Sequence, residues 1–440
     1  MGDNVLDSAA QEPIAAKPDA RADREAALAR IEEVRRDTEA LAVNLTAEDQ
    51  AIQSMPDVSP TKWHLAHTSW FFETLILLRF DPDYRLFDPA FTYLFNSYYE
   101  AVGPRHPRPA RGMLSRPSLD TVAAYRDHVG AALTRFVARA GAEAWRDAAP
   151  LIELGLHHEQ QHQELILMDI KHVFSINPLL PGYQAPQLKM TQGAPPLDWV
   201  AFPGGLCEIG HRGAGFAFDN ETPRHKVWLE PFRLASRPVT CGEYREFIED
   251  GGYRRPEFWL SDGWAAAGQS GWEAPLYWRR KDGGGWAIFT LSGCRRLNQA
   301  EPVCHVSFYE ADAFARWAGK RLPSEAEWEV AADGLPLAGN FADSGRLHPC
   351  AAAAGADSTS LAQMFGDVWE WTASPYTAYP RFRPVEGAVG EYNGKFMCNQ
   401  MVLRGGAAVT PAGHIRPTYR NFFPPAARWA FSGLRLAEDA

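Results

Sequence analysis

The stretch LGLHHEQQHQELILMDIKH, residues 154–172, decides the fold of the N-terminal half of this 440-residue chain. Its apolar residues recur at helical spacing, and the pattern extends over about residues 142–174, which predicts one long amphipathic helix. His158 and His162 are four residues apart and therefore lie on the same face of this helix. Two imidazoles on one face can bind one metal ion. The helix is predicted to carry part of a metal site.

Three further helices are predicted before this one. The first covers about residues 22–53, where apolar residues recur with charges between them. Ser59 and Pro60 supply an N-cap and a first-turn proline for the second, and the third follows Ser118 as far as about Arg139. Four long helices with polar outer faces bury their apolar stripes best as a bundle, and facing side chains in such bundles commonly build metal sites.

A third metal ligand must come from another helix of the bundle. His67 on the second helix can face His158 and His162 across the bundle, and His64, one turn away, competes for the role. Three neutral imidazoles leave coordination positions open, as a catalytic rather than a structural site requires.

The same segment allows two other interpretations. His158-Glu159-Gln160-Gln161-His162 fits the H-E-x-x-H pattern of zinc metalloproteases, with Glu159 as the general base. Paired histidines on an amphipathic helix are also often core or surface residues with satisfied hydrogen bonds, because short motifs match by chance. A tyrosine-rich loop and a large second domain do not belong to the metalloprotease pattern.

Composition divides the chain into four parts. Residues 1–21 are rich in Ala, Asp and Pro without apolar periodicity and are predicted to form a disordered tail, and residues 22–180 form the bundle. Residues 181–198 are a proline-rich linker. From residue 199 to 440 short apolar runs alternate with Gly, Pro and Asn turns, which predicts an irregular α+β domain. Two helices interrupt this pattern, at about residues 307–319 and 324–332, the second with a capping box.

Composition and charge limit the function classes. The chain is 46% hydrophobic and 22% charged, close to globular averages. A net charge of -10 argues against binding to the phosphate backbone of a nucleic acid. Six cysteines are scattered without C-x-x-C spacing, and the sequence shows neither a signal peptide nor a run of ~20 apolar residues. We expect a cytoplasmic protein with small-molecule partners, no nucleic-acid partner and no membrane.

Segments of both halves resemble one known family. Residues 59–73 (SPTKWHLAHTSWFFE) and 154–172 look like the DinB-type bundle of the EgtB family of ergothioneine-forming sulfoxide synthases. The second half resembles the formylglycine-generating-enzyme/sulfatase-modifying fold, a variant of the C-type lectin fold. Its motifs are residues 221–225 (ETPRH), 238–240 (PVT), 319–329 (GKRLPSEAEWE), 366–371 (GDVWEW) and 404–406 (RGG). The resemblance implies a multidomain α and α+β protein, in which a DinB-like four-helix bundle precedes a C-type-lectin-like domain.

Most of the second-domain motifs are predicted to be scaffold. The GKRLPSEAEWE segment reads as a capped helix, and GDVWEW as a core turn and strand, since packing explains most buried aromatic residues. The copper-binding cysteines of true formylglycine-generating enzymes are not recognisable in this sequence. Protein-modifying activity is therefore not expected.

The resemblance implies an iron(II)- and oxygen-dependent enzyme. Such an enzyme joins the sulfur of cysteine to C2 of the imidazole ring of hercynine (N-trimethylhistidine) and forms a sulfoxide. By resemblance His67, His158 and His162 bind the Fe(II), and Gln161 hydrogen-bonds the substrate imidazole. A three-histidine site with open positions can accept the imidazole, the thiolate and O2 at one centre.

A long loop, residues 81–116, follows the second helix, and loops of that length in compact domains are usually functional. Tyr98 and Tyr99 on this loop look like the tyrosine pair that the cysteine-using subtype places beside the metal. A phenol there can deliver a proton or a hydrogen atom and divert the reaction from simple thiol dioxygenation. The alternative is that the aromatic pair only anchors the loop.

Substrate recognition requires a carboxylate clamp and a place for a quaternary ammonium group. Four arginines follow the tyrosines, and at least one is expected to bind the carboxylate of cysteine, because arginine suits bidentate binding. The candidates are Arg105 and Arg116, with Arg108 and Arg111 as the other two. Residues 419–424 (YRNFFP) resemble the segment that lines the hercynine pocket, and aromatic faces attract trimethylammonium groups. The candidates there are Asn421, Phe422 and Phe423.

Other activities stay open at this point. γ-Glutamylcysteine is a possible sulfur donor, and a relative on the same scaffold joins hercynine to a selenosugar and forms selenoneine. Ala407, where the resemblance leads us to expect Ser, leaves the donor open. An ovothiol-forming synthase normally carries an additional methyltransferase domain, and this chain ends just beyond Leu436. A different class is a non-catalytic lectin-like binding module, in which the bundle only buries apolar surface.

Overall fold

A computed structural model describes residues 20–186, 193–353 and 360–440. Residues 1–19 of the predicted tail and residues 187–192 of the predicted linker lie outside these ranges. Within them, an N-terminal helical domain and a C-terminal domain of short strands, helices and loops pack directly against each other.

The N-terminal domain is helical. Its helices are α1 (Ala20–Ala40), α2 (Thr61–Phe72), α3 (Leu78–Phe80), α4 (Phe91–Leu94), α5 (Leu119–Arg139) and α6 (Ala142–Ile176). The third and fourth predicted helices are confirmed as α5 and α6, and the Ser118 hydroxyl caps α5 by accepting from the backbone N–H of Thr121 at 3.2 Å. No helix in the described part of the chain combines the length and the apolar character needed to cross a bilayer.

The first helix is shorter than predicted. It ends at Ala40 rather than near Gln53, and a separate 3-10 turn forms later, at Asp49–Ala51. Thr46 and Asp49 bond to each other where that turn begins: the Thr46 hydroxyl accepts from the Asp49 N–H at 3.2 Å, and the Asp49 carboxylate accepts from the Thr46 N–H at 2.9 Å. Such side-chain bonds to the backbone compete with a continuous helix.

The second helix begins differently from the prediction. Its N-cap is Pro60 and not Ser59. The Ser59 hydroxyl accepts from Arg111 at 2.9 Å, and the Ser59 N–H donates to the Asp169 carboxylate at 2.7 Å. The hydroxyl and the backbone N–H of Ser59 therefore both form tertiary hydrogen bonds. A π-helical turn at Glu73–Leu77 then extends α2 into α3.

The core of the bundle lies around α2. Trp70, Phe71 and Phe72 from α2 and Ile166 and Leu167 from α6 are all fully buried. Burying one such side chain contributes ~1.5–3 kcal/mol. α2 packs against both α5 and α6, and α1 packs against α6. The two helices that carry the predicted metal ligands are thus in direct contact.

In the described ranges the C-terminal domain contains four small sheets. Its strands are β1 (Trp199–Phe202), β2 (Gly205–Ile209), β3 (His225–Leu229), β4 (Phe232–Ala235), β5 (Trp278–Arg280), β6 (Trp286–Thr290), β7 (Gly293–Arg296), β8 (Trp369–Pro375), β9 (Met401–Arg404), β10 (Asn421–Phe423), β11 (Ser432–Gly433) and β12 (Ala437–Asp439). The sheet orders are β1-β4-β12, β2-β3, β5-β6-β7 and β10-β9-β8-β11.

Helices pack around these sheets. They are α7 (Cys241–Glu249), α8 (Ser261–Ser270), α9 (Phe308–Trp317) and α10 (Glu325–Ala332). Both helices predicted in this domain are confirmed, as α9 and α10. Ser307 and Ser324 are their N-caps, and Glu310 and Glu327 complete the two capping boxes.

Buried ion pairs account for several motifs of this domain. Glu325 on α10 binds Arg404 on β9 at 2.8 Å and Arg420, just before β10, at 2.6 Å. Glu370 on β8 binds Arg435 at 2.8 Å. Removing one partner of such a pair leaves an uncompensated buried charge. These residues therefore hold α10 and the strands together, which is a scaffold role.

The central sheet brings the C-terminal domain onto α6. The Trp369 indole N–H donates to the Glu164 carboxylate of α6 at 2.6 Å, and the Thr410 hydroxyl donates to its other oxygen at 2.6 Å. β10 pairs antiparallel with β9, so that Phe422 lies opposite Val402. The two domains meet along α6, and a cavity lies at their junction.

Candidate metal centre and substrate cavity

Three buried histidines converge between α2 and α6. The ligand atoms of His67, His158 and His162 all lie within 4.8 Å of one another. Nε2 of His67 is 3.2 Å from Nε2 of His158. The spacing of four residues places His158 and His162 on one face of α6, and α2 presents His67 to that face. The structure thus brings together the three histidines that the sequence singled out.

Hydrogen bonding orients the imidazole of His67. Its Nδ1 lies 2.6 Å from the backbone carbonyl oxygen of Phe95, and only a protonated ring nitrogen can donate to a carbonyl. Nε2 therefore keeps its lone pair and directs it toward His158. The ring also stacks on the indoles of Trp63 and Trp70, at centroid distances of 4.6 and 5.4 Å. These contacts restrict rotation of the ring.

Two further side chains orient His162. Its Nδ1 lies 2.8 Å from Nδ1 of His64, and Nε2 of His64 lies 3.0 Å from Oδ2 of Asp169. Because a carboxylate accepts, His64 donates from Nε2 and accepts at Nδ1 from the Nδ1–H of His162. His162 then keeps the lone pair on Nε2. The geometry favours His67 over His64 as the third ligand and makes His64 the hydrogen-bond partner of His162.

The three imidazoles are neutral near neutral pH. Burial lowers the pKa of His158 to about 3. Burial and the neighbouring His158 lower the pKa of His67 and of His162 well below the ordinary value. The neutral imidazole is the form that binds a metal ion. The site can therefore bind a cation without first losing protons.

The distance between the ring nitrogens of His67 and His158 fits a transition-metal ion. Two ring nitrogens that each lie ~2.0–2.1 Å from one ion are ~3 Å apart in tetrahedral or octahedral geometry. The separation between His67 and His158 is 3.2 Å. Imidazole suits iron, zinc, copper and nickel, so this donor set admits iron among others.

Glu159 points away from the three histidines. Its carboxylate is buried and lies 2.9 Å from Arg126 on α5 and 3.5 Å from Arg35 on α1. A general base must be within reach of the group that it deprotonates. Glu159 instead forms ion pairs that link α6 to α1 and α5. This arrangement does not support the metalloprotease interpretation.

A cavity of about 290 Å³ lies beside His158 and His162 and is lined by both domains. Its wall is mainly aromatic and includes Tyr98, Tyr392, Phe396, Tyr419, Phe422, Phe423 and Trp429. Its polar and charged groups include Asp57, Arg108, Gln161, Glu164, Asn393, Gln400, Arg420 and Asn421. An apolar wall with a few placed polar groups is typical of a small-molecule site. Besides His158 and His162, five predicted site residues line this cavity: Tyr98, Gln161, Asn421, Phe422 and Phe423.

Two phenols hold the side-chain amide of Gln161. Its Nε2 donates to the Tyr419 hydroxyl at 2.7 Å, and its Oε1 accepts from the Tyr392 hydroxyl. The Tyr419 hydroxyl also lies 3.0 Å from Nε2 of His414, and Nδ1 of His414 lies 3.0 Å from Nδ1 of His157. The amide next to the metal centre is therefore fixed in orientation.

Tyr392 and Glu164 are two of the cavity residues that sequence reasoning missed. The Tyr392 ring lies 5.8 Å from the His158 ring, but its loop shows no periodicity or motif that could have predicted this. Glu164 follows Gln161 by three residues on α6, and that spacing could have placed it on the same helix face. Burial raises the pKa of Glu164 to about 7, although the hydrogen bonds from Thr410 and Trp369 oppose this.

Tyr98 and Tyr99 stack on each other at a centroid distance of 4.7 Å, but their surroundings differ. Tyr98 is half-buried and lines the cavity. Tyr99 is fully buried, near Trp70 and Phe71 of α2. Burial raises the pKa of both phenols, so both keep their protons at neutral pH. Of the pair, Tyr98 has access to the cavity.

The loop arginines occupy different places. Arg105 is ion-paired with Glu100 on the outer side of the loop, and Arg116 is exposed, so neither is among the described residues that line the cavity. Arg111 is buried under an indole ring of α2, and burial lowers its pKa to about 8. Of the four loop arginines, Arg108 is the one that lines the cavity in the described part of the chain, and the carboxylate contact of this group stays a prediction.

The fold and the site define a class of enzyme, in which a helical bundle holds a candidate three-histidine metal centre and a second domain closes the cavity beside it. Residues 30–166 match the DinB superfamily. Residues 185–355 and 340–440 match the sulfatase-modifying factor enzyme 1-like domain. Both matches agree with the fold class expected from the sequence.

Similar proteins are the hercynine oxygenases of two actinobacteria. That of Mycolicibacterium smegmatis is 33% identical over 420 residues, which are 88% of this chain and 92% of the relative. That of Mycobacterium tuberculosis is 33% identical over 405 residues, 87% of this chain and 92% of the relative. The formylglycine-generating enzyme of Streptomyces coelicolor is 30% identical, but over only 55% of this chain. The chain belongs to the hercynine oxygenase family, which confirms the resemblance seen in the sequence.

Proposed function

We propose that this enzyme is an iron(II)-dependent hercynine sulfoxide synthase that uses cysteine and O2. One observation carries the proposal: the three-histidine centre adjoins an aromatic cavity in a chain that is similar to hercynine oxygenases over 88% of its length. The reaction balances as one thiol, one hercynine and one O2 giving one sulfoxide and one water. The S–H and imidazole C2–H bonds break, and the S–C2 and S=O bonds form.

His67, His158 and His162 hold the iron in this proposal. Bound Fe(II) supplies the site at which the thiolate and O2 meet and at which O2 is activated. The protein orients the ligands: the Phe95 carbonyl holds His67, and the pair His64 and Asp169 holds His162. Such outer contacts fix the tautomer and the direction of each ligand.

Hercynine lies along α6 in this proposal. Gln161 hydrogen-bonds its imidazole, because the amide is fixed by Tyr392 and Tyr419 beside the histidines. Three residues of helix advance ~4.5 Å along the axis, so Glu164 lies about one amino-acid length from Gln161. The trimethylammonium group then meets the aromatic side chains of Phe422 and Phe423 with the carboxylate of Glu164 nearby.

Cysteine is the favoured sulfur donor. Ligand cavities of proteins are typically ~300–1,000 Å³. The cavity here is about 290 Å³ and must take hercynine as well, which favours a single amino acid over the dipeptide γ-glutamylcysteine or a selenosugar. Arg108 at the cavity supplies a guanidinium for the cysteine carboxylate. The six cysteines of the chain are free thiols, which is compatible with a reducing cytoplasm.

Tyr98 is the proposed proton donor. Its phenol lines the cavity, keeps its proton because burial raises its pKa, and stacks on Tyr99. Proton delivery from a positioned side chain typically contributes ~10²–10⁴-fold to a rate. Tyr99 supports Tyr98 from the bundle side.

The test is a product analysis. The anaerobically reconstituted Fe(II) protein is incubated with hercynine and O2, and with cysteine, γ-glutamylcysteine or a selenosugar in parallel. Mass spectrometry should show a hercynine–cysteine sulfoxide as the main product. If the main product is the selenosugar adduct, the donor is a selenosugar and not cysteine. Stoichiometric iron binding with no hercynine adduct from any donor would refute the proposal.

A further inference from the structure

The loop that carries Tyr98 is anchored from two sides. On the bundle side, the buried side chain of Asn96 donates to the carbonyl oxygens of Tyr99 and Gly103, both at 3.1 Å. It also accepts from the Tyr99 N–H at 3.1 Å. These bonds fix Tyr99, and they leave the outer part of the loop, Glu100 and Ala101, exposed.

The second anchor comes from the C-terminal domain. The two carboxylate oxygens of Glu391 accept from two consecutive backbone amides, that of Ala101 at 2.8 Å and that of Glu100 at 3.0 Å. Burial raises the pKa of the Glu391 carboxyl, but the hydrogen bonds from Lys395 and the two amides outweigh it, and the pKa is lowered. Glu391 is therefore a carboxylate at neutral pH, and hydrogen bonds to a charged acceptor are the stronger kind.

Lys395 completes this anchor. Its ammonium donates to Glu391 at 2.7 Å and to the carbonyl oxygen of Tyr98. It also lies 5.0 Å from the centre of the Tyr98 ring. Glu391, Lys395 and the backbone of residues 98–101 together form what we call the clasp.

The clasp and the cavity wall share one segment. Tyr392, Asn393 and Phe396 line the cavity, and Glu391 and Lys395 flank them in sequence. The Phe396 ring lies edge-on to Tyr98 at 5.0 Å. The segment that shapes one wall of the cavity is thus the segment that holds the Tyr98 backbone, so the position of this phenol is set across the domain junction.

We propose that Glu391 and Lys395 are positioning residues that hold the Tyr98 phenol at the cavity and thereby direct the oxidised sulfur to the imidazole carbon. This rests on the proposed function. The competing outcome is thiol dioxygenation, in which one thiol and one O2 give one sulfinic acid and hercynine is not consumed. A released loop withdraws the phenol and shifts products toward the sulfinate.

The first measurement needs no turnover. Hydrogen exchange of the Glu100 and Ala101 amides is compared in the wild type, Glu391→Ala and Glu391→Gln, with Glu257→Gln as a control, an exposed glutamate paired with Arg255. Loss of the carboxylate should speed exchange at both amides by about tenfold or more, because within the described residues Glu391 is their hydrogen-bond acceptor and both positions are exposed. Unchanged exchange in Glu391→Ala overturns the clasp, whatever the enzyme's reaction.

The second measurement is the ratio of sulfoxide to cysteine sulfinate. Glu391→Ala and Lys395→Met should lower this ratio by about fivefold or more, in the direction of Tyr98→Phe, while iron stoichiometry and hercynine affinity stay within about twofold. Lys395→Arg should restore the ratio. The double variant Glu391→Ala/Tyr98→Phe should be no worse than Tyr98→Phe alone, since the clasp acts through that phenol.

The outcomes separate the two proposals. Faster exchange with an unchanged product ratio overturns the positioning role, and additive losses in the double variant do the same. A wild-type protein that makes no hercynine adduct refutes the proposed function, whereas the exchange measurement still reports on the clasp.

Discussion

The metal centre and the cavity wall are built by different kinds of structure. Two of the three histidines lie four residues apart on α6, and the third lies on α2, in direct contact with it. Much of the cavity wall comes from the other domain, from its 3-10 turns and the short strand β10, and the rest comes from α6 and the Tyr98 loop. A helix sets the relative positions of its side chains locally, whereas loops depend on the scaffold that holds them. Metal binding should therefore tolerate changes in the second domain, and hercynine binding should depend on both domains.

The largest effect should come from breaking the centre itself. His158→Ala removes one of three ligands, so we expect stoichiometric iron uptake and product formation to be lost. Metal analysis and anaerobic titration with Fe(II) measure this. His106→Ala, a histidine bonded to the loop carbonyl of Ala110, is the control and should bind iron normally. Full iron uptake by His158→Ala would disprove the assignment of the centre.

The scaffold beneath the wall should be the next most sensitive part. Glu325→Ala leaves the buried guanidinium groups of Arg404 and Arg420 without their carboxylate. The free energy of unfolding should fall by about 3–5 kcal/mol, as for other broken buried pairs. Urea denaturation measures it, with the exposed Glu249→Ala as control. An unchanged stability would contradict the scaffold role of this network.

The junction of the two domains should make stability depend on pH. Burial lowers the pKa of Lys171, which contacts His305 at 2.6 Å, from 10.5 to about 7. At pH values between these two pKa values, the Lys171 amine is protonated in the unfolded chain and neutral in the folded chain. The free energy of unfolding therefore rises with pH, by up to ~1.4 kcal/mol per pH unit. Below about pH 7 the Lys171 amine is charged in the folded chain as well, and the full free-energy cost of burying this charge lowers the stability.

Lys171→Met should remove this dependence. Urea denaturation at pH 7.5 and pH 9.5, about two pH units apart, measures the free energy of unfolding. Between these pH values it should rise less for Lys171→Met than for the wild type. The exposed Lys281→Met should behave as the wild type. Equal slopes in all three proteins would show that Lys171 keeps an ordinary pKa.

A smaller effect is expected from the partner of His162. His64→Ala removes the hydrogen bond to Nδ1 of His162 but no ligand, so iron affinity should fall by ~10–100-fold while saturation is still reached. A competition titration with a metal-binding dye measures the affinity. His172→Ala, almost three turns beyond His162 on α6 and bonded to Ser54, is the control. Complete loss of metal binding in His64→Ala would instead make His64 a ligand.

The smallest effect should come from the wall. Phe422→Leu keeps apolar volume but removes an aromatic face, so the Kd for hercynine should rise by ~2–5-fold, or about 0.5–1 kcal/mol. Calorimetry of the iron-loaded protein measures it, and iron affinity should not change. Phe258→Leu, outside the cavity lining, is the control. Weaker iron binding in Phe422→Leu would contradict the separation of the two regions.

The bundle was predictable because its signals are local. Helical periodicity predicted α5 and α6 correctly, and Ser118 could be predicted from the sequence as the N-cap of α5. The first helix was predicted too long because apolar periodicity alone does not show that Thr46 and Asp49 bond to each other's backbone and compete with the helix. At Ser59 a local capping signal was overridden by tertiary partners, Arg111 and Asp169.

The cavity was predictable only in part. Gln161, Phe422 and Phe423 were found through the family resemblance and do line it. Four loop arginines were candidates for the carboxylate, because the sequence of a loop does not show which side chain turns toward the cavity. Tyr392 had no sequence signal, because it lies 231 residues from its hydrogen-bond partner Gln161.

The sequence by itself determined the bundle and the pair of histidines on one helix face, because these follow from periodicity, caps and spacing within a short stretch. The fold of the second domain was expected only through the resemblance of its motifs to a known family. The tertiary structure alone decided that Asp169 supports His162 through His64, that Tyr98 rather than Tyr99 reaches the cavity, and that Glu391 holds the Tyr98 loop. The physical reason is the same in each case. Hydrogen bonds between groups about a hundred to three hundred residues apart form only when packing brings the groups within ~3 Å, and no local pattern encodes that approach.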